Sequence, residues 1–292
     1  MTAVERADWR FEPLSDAAAV LGESPQWSLR DGCVWWVDVT GRKLLRSDAE
    51  SGHTRVWHTP EEIGFVVLAR GGAVVAGMES GLFLFDQTNG GFTPIWRLEG
   101  RGVRFNDAAT DGAGRLWAAT CDIANREPLG RLLCIDPDLA VRTVVGGLLT
   151  PNGLAVDAAR GLLYLSDSHP GVRRLWRLPL DLASGGTGER QELADFGDLK
   201  GRPDGGAVDA AGTYWIAGVG GGTLHGFSPE GRRVAEVATP MADPTKIAFG
   251  GPRLDRVFLT SKSGDGRGAG CLAVAIPHIG GQAATPFGWG PL

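Results

Sequence analysis

The chain has 292 residues, 43% apolar and 22% charged, enough to bury a sizeable core in one large domain or two ordinary ones. Its 45 glycines and 17 prolines imply frequent turns and exclude long helices as the main architecture. A formal charge of −5, with no run of Lys or Arg longer than two, excludes the basic footprint that nucleic acid or an anionic membrane surface requires.

At the N-terminus Glu5, Arg6, Asp8 and Arg10 stand where a secretory signal needs an apolar core, and no apolar stretch reaches the ~18 residues of a membrane span. The expectation is a soluble, cytoplasmic protein. Cys33, Cys121, Cys134 and Cys271 form no CxxC pair, which fits reduced structural thiols. Trp9 to Leu14 has strand character but no module of its own.

From Glu23 onward one unit recurs: a short apolar strand, a turn rich in Asp and Gly, a strand with an aromatic near its centre, then a hairpin and a further strand. The segments beginning Asn106-Asp107, Asn152-Gly153 and Asp204-Gly205 superpose almost without gaps. With Glu23, Gly64, Asn106, Asn152, Asp204 and Thr245 as starts, the steps are 41, 42, 46, 52 and 41 residues, the length of a four-stranded propeller blade. A second landmark falls at Trp35, Val75, Trp117, Tyr164, Trp215 and Phe258, offset by 12, 11, 11, 12, 11 and 13 residues. Two independent markers keep one phase. The strands Val34 to Val39, Leu82 to Phe85 and Arg256 to Thr260 are bounded by Gly, Asp and Pro, and no window keeps a 3.6-residue apolar period for three turns. The predicted fold is all-β: a single six-bladed β-propeller of four-stranded blades over residues 1–292, with the strand at about 9–14 closing the last blade.

In a propeller the first strand of each blade lines the axial channel, so residues starting these strands converge on one mouth. Glu23, Asn106, Asn152 and Asp204 place two carboxylates and two carboxamides there. Such hard oxygen donors suit one divalent cation: Ca²⁺, Mg²⁺ or Mn²⁺, or with fewer ligands Zn²⁺ or Fe²⁺. Pro151-Asn152-Gly153 and Pro203-Asp204-Gly205 are also turn tripeptides by composition, and Glu23 could be an ordinary surface acid. The shared phase favours the functional reading. Arg104 adds a cation near the same mouth, suited to a substrate oxygen or a carboxylate product. Asp167 reads as a hairpin-stabilising acid, and Gly218 to Gly222 as a tight hairpin. The five histidines include no HExxH pair, and no GxSxG elbow is present.

Gly22-Glu23-Ser24-Pro25 with Trp27, Arg104-Phe105-Asn106-Asp107, Pro151-Asn152-Gly153-Leu154, Tyr164 with Ser166-Asp167-Ser168, Pro203-Asp204-Gly205, and Phe249-Gly250-Gly251-Pro252 with Thr260-Ser261 run in order over nearly the whole chain. This ordered set resembles the senescence marker protein-30 (regucalcin)/gluconolactonase family. The resemblance implies a six-bladed propeller with one catalytic divalent metal in its channel, hydrolysing sugar lactones to aldonic acids. It also implies metal ligation by Glu23, Asn152 and Asp204, and substrate contact by Arg104 and Asn106. Where relatives carry a Glu-containing stretch that helps hold the sugar, this chain reads Cys121-Asp122-Ile123-Ala124-Asn125, so Asp122 is the candidate replacement. Asp204 is the expected general base. The rival expectations are a non-enzymatic calcium-binding or protein-binding propeller and a metal-dependent aryl-esterase.

Overall fold

A computed structural model describes residues 4–290. Six sheets are arranged in a ring, and in blades 1 to 4 the strands run in sequence order from the axis to the rim. Blade 1 is built from Gly22–Ser28, Cys33–Asp38, Lys43–Asp48 and Thr54–His58; blade 2 from Ile63–Leu68, Val74–Met78, Gly81–Phe85 and Phe92–Arg97. Blade 3 comprises Val103–Thr110, Leu116–Asp122, Gly130–Ile135 and Val141–Leu148, and blade 4 Pro151–Asp157, Leu162–Asp167, Arg174–Pro179 and Gln191–Asp195. Blade 5 is Arg202–Val208, Tyr214–Val219, Thr223–Phe227 and Arg233–Ala238. Blade 6 takes Pro244–Gly250, Arg256–Ser261 and Cys271–Ala275 from the C-terminal part of the chain and its outermost strand, Glu12–Ala18, from the N-terminal part. The inner strands of neighbouring blades touch all the way round, blade 6 to blade 1 included. The secondary structure includes only one short helical turn, Arg70–Gly72, among the described residues, and none of their helices is long and apolar enough to cross a membrane.

The closing strand lies three to four residues later than the sequence suggests. Trp9 and Phe11 precede it and bury their rings at the junction of blades 5 and 6, where Trp9 packs on Trp215 with ring centroids 4.4 Å apart. Pairing then starts at Glu12 against Val274. A two-residue strand, Glu5–Arg6, adds to the outer edge of blade 5 in parallel register, a feature the composition does not signal.

Each junction between blades carries its own apolar core, six in all. Alternation in the second strands feeds two cores at once, because successive side chains point to opposite sheet faces. Trp35 packs toward blade 2 while Trp36 packs toward blade 6. The Asp-Gly turns are held by their own acids: Asp111 accepts from the Ala113 and Arg115 amides and Trp117 Nε1, and Asp209 repeats this with Ala211, Thr213 and Trp215. The four cysteines are free, and Gly218 to Gly222 forms the expected hairpin within blade 5.

Candidate metal centre and substrate mouth

All six start residues of the repeat lie on inner strands, and all six strands carry a one-residue bulge at that point. In blade 4, for example, pairing jumps from Asn152 opposite Ser166 to Ala155 opposite Tyr164. A bulge leaves ladder groups unpaired and re-aims the local side chains. Pro-Asn-Gly and Pro-Asp-Gly are therefore bulged strand starts rather than turns, and Gly153 takes the left-handed φ of 67° that its bulge requires.

Glu23, Asn152 and Asp204 are each only 7% exposed. The Asn152 carboxamide contacts Asp204 Oδ1 directly, and its own Oδ1 accepts the Gly153 amide at 3.1 Å. Glu23 Oε2 accepts the Ser24 amide at 2.9 Å. Burial pushes the Glu23 carboxyl well above its ordinary range, and the charges of Asp204 and Asp107 push it further. Burial likewise raises Asp204, to about 7, with Lys262 opposing and Asp107 reinforcing the rise. Two buried acids without enough compensating charge, beside a carboxamide, form an oxygen-donor set that fits a hard dication. Among the described residues no three His, Cys, Asp or Glu side chains gather as a metal cluster; the set here is two carboxylates and one amide.

Arg104 and Asn106 lie together on the blade 3 side, half-buried. Arg104 Nη1 donates to Asn106 Oδ1 at 3.0 Å, and Asn106 Nδ2 donates to the Pro151 carbonyl at 3.0 Å, one residue before Asn152. Glu62 of blade 2 anchors the guanidinium from the other side, Nε to Oε2 3.5 Å. The sequence reading did not single out Glu62, although it occupies in blade 2 the phase that Arg104 occupies in blade 3.

Asp122 is brought to the end of the second strand of blade 3, but its carboxylate is engaged by its own loop. It accepts the amides of Ala124, Arg126 and Glu127 at 3.3, 2.8 and 3.0 Å, which hold it below the usual carboxylate range. Asp167 ends the second strand of blade 4 opposite Pro151, two register positions nearer the bulge than Asp122 opposite Val103, and accepts from Leu149, Thr150 and His169, as its hairpin reading anticipates. Asp38 does the same in blade 1 for Leu21 and Gly41. Of the remaining start residues, Gly64 has no side chain and Thr245 donates its hydroxyl to the Gly22 carbonyl at 2.6 Å.

The sequence reading also passed over a buried ion pair directly beneath these residues. Lys246 Nζ contacts Asp107 Oδ1 and donates to the Ala108 carbonyl at 3.1 Å. The available signal was a lysine inside the otherwise uncharged strand Pro244–Gly250, one residue past the repeat start, with Asp107 at the same phase three blades away.

Residues 21–263 match the profile of the SMP-30/Gluconolactonase/LRE-like region. The chain is 36% identical to a 6-deoxy-6-sulfogluconolactonase of Pseudomonas putida over 282 residues, covering 92% of this chain and 95% of the relative. It is 31% identical to a pentonolactonase of Haloferax volcanii, over 87% and 86% of the two chains. The crystal structure of a calcium-binding protein, regucalcin, from Agrobacterium tumefaciens superposes with a TM-score of 0.91 at 24% identity, covering 98% of this chain and 99% of that one, a likeness of fold. With the repeat, the ring and the oxygen-lined mouth already established, the extent of this match means that the chain belongs to the SMP-30/gluconolactonase/LRE-like family.

Proposed function

We propose that the protein is a metal-dependent sugar lactonase that opens an aldonolactone to its aldonic acid. The observation that carries this reading is the convergence of Glu23, Asn152 and Asp204, buried and short of compensating charge, beside the polar pair Arg104 and Asn106. The family membership and the lactonase names of the sequence relatives support it.

Glu23, Asn152 and Asp204 would hold one divalent cation, whose Lewis acidity would polarise the ester carbonyl. Asp204, facing both the cation and the attacking water, would orient that water and accept its proton. Water adds to the carbonyl carbon, the ring C–O bond breaks, and the proton passes to the departing alkoxide to leave the open hydroxy acid. Arg104, fixed between Glu62 and Asn106, orients ring hydroxyls and thereby lowers the entropic cost of attack. Asp122 serves this mouth by shaping the loop 122–127. Arg202 and Lys262, half-buried and without an ion-pair partner among the described residues, sit where they draw the Asp204 carboxyl down. They are the cations placed to meet an anionic substituent such as the sulfonate implied by the name of the Pseudomonas relative. The unpaired cysteines fit a cytoplasmic setting.

The test is lactone hydrolysis followed by pH drop over neutral and sulfonated aldonolactones. Chelation should abolish turnover and added dication restore it, and Asp204→Ala should lose at least about 100-fold in kcat while remaining folded. Full activity of the chelated protein would refute metal dependence. Aryl-ester hydrolysis without lactone hydrolysis would refute the substrate class.

A further inference from the structure

Lys246 is 3% exposed and Asp107 1%. They lie on the inner strands of blades 6 and 3, which face each other across a six-membered ring, so their ion pair spans the axis. It ties down more than its own two strands. Asp107 Oδ2 accepts the Leu154 amide of blade 4 at 2.8 Å, two residues past Asn152. On the opposite side, the alkyl stem of Lys246 lies against Gly205 of blade 5, the residue after Asp204. A Cβ at Gly205 would meet the stem at 2.4 Å. Gly205 has no positive φ, so close approach is what demands glycine there.

A cavity of about 960 Å³ opens on the far mouth of the ring, lined by Lys246, Ala108, Leu154 and Gly206 but by none of Glu23, Asn106, Asn152 or Asp204. Lys246 thus lines the far cavity while its ammonium reaches Asp107 beside the oxygen-lined mouth.

We propose that Lys246 and Asp107 are positioning residues: a cross-axial brace that sets the separation of the Asn152 and Asp204 bulges to the span of a dication. The proposal rests on the metal reading of Glu23, Asn152 and Asp204. An alternative role for the pair is charge balance alone, since Glu23, Asp107 and Asp204 against the one fully buried ammonium leave −2, with the half-buried Arg202 and Lys262 unchanged in every variant. The two roles diverge in the double variant Lys246→Met/Asp107→Asn, which keeps that net charge, buries no unpaired ion and removes the brace.

The experiment is titration of the chelated wild type and variants with Mn²⁺ and Ca²⁺ by calorimetry, with thermal melting as the check on folding and kcat and KM measured at saturating metal. The brace predicts that the double variant stays folded yet binds Mn²⁺ at least about 10-fold more weakly, the usual scale for a residue supporting a metal ligand, with kcat reduced more than KM is raised. Wild-type affinity in the double variant would overturn the brace and leave only charge balance. Should that variant not fold, the Lys246→Leu/Asp107→Asn variant, with the same net charge and no buried unpaired ion, decides, and affinity within twofold of wild type overturns the proposal. Failure of the wild type to bind either cation sinks the underlying metal reading instead, an outcome distinct from unaffected variants.

Discussion

Glu23 and Asp204 show how the site works against the stability of the chain that bears it. Each carboxyl is held in protonated form to higher pH than in the unfolded chain, mainly by burial. The folded state therefore binds more protons than the unfolded state between about pH 4 and 7, and the stability of the metal-free protein falls as pH rises through that window. Above pH 7 the buried Asp204 carboxylate is charged, and its cost stands unless a cation intervenes. Asp204→Asn, which keeps shape and leaves two carboxamides able to hydrogen-bond each other, should raise the melting temperature of chelated protein at pH 8. The expected gain is about 1–3 kcal/mol, or roughly 2–10 °C for a domain this size. The gain should vanish near pH 4, where the wild-type acid is neutral. Thermal melts with and without chelator across this range check it, and the same substitution should abolish the stabilisation that added dication gives the wild type.

At the level of single elements, the bulged inner strand is the device that turns a structural repeat into a site. Every blade has the bulge, but not every blade can use it. Gly64 marks the blade 2 position because its strand runs against blade 3 so closely that a Cβ would sit 2.2 Å from the Phe105 carbonyl oxygen. Gly64→Ala should therefore cost about 1–3 kcal/mol through overpacking and displace Asn106, the residue after Phe105, so that KM rises along with the loss in the melting temperature. Denaturant unfolding and steady-state kinetics on the one variant check both effects. Thr245 is withdrawn from the site by another route, its hydroxyl pinning blade 6 to the Gly22 carbonyl next to Glu23. The ring of six equivalent positions is thereby lopsided, with oxygen donors from blades 1, 4 and 5 and polar contacts from blade 3.

For the whole molecule, closure depends on a strand contributed from the opposite end of the sequence. Glu12–Ala18 covers the outer edge of blade 6, with the Ser15 hydroxyl accepting the Leu272 amide at 2.9 Å where the ladder is interrupted. Trp9 and Phe11, just upstream, help fill the junction of blades 5 and 6. Closing the ring covers the apolar faces that the first and last blades of an open array would present, and leaves each sheet only a short outer edge. Deleting residues 1–18 should expose the edge of Cys271–Ala275 and the Trp9 site together, converting one cooperative melt into a broadened transition at least about 10 °C lower with a rising aggregated fraction. Calorimetry and light scattering check this. A truncated chain melting like the parent would show that the ring holds without its closing strand.

The modular plan was readable from the chain because its causes are local. Strand alternation, Gly-containing turns and an aromatic or apolar centre in the second strand repeat within each 41- to 52-residue step, so the number of blades and the shared phase of Glu23, Asn152 and Asp204 follow from near neighbours along the sequence. What each side chain at that phase is free to do depends on atoms from other blades or from its own folded loop, and only the tertiary structure decides that. Asp122 and Asp167 both end the second strand of a blade, yet what each carboxylate does is settled only by the amides it holds. Lys246 meets Asp107 from 139 residues away, a contact set by the closing of the ring and by no spacing within a blade. Periodicity fixes which residues can meet, whereas the depth of burial and the partner across the axis fix what their charges cost and hold.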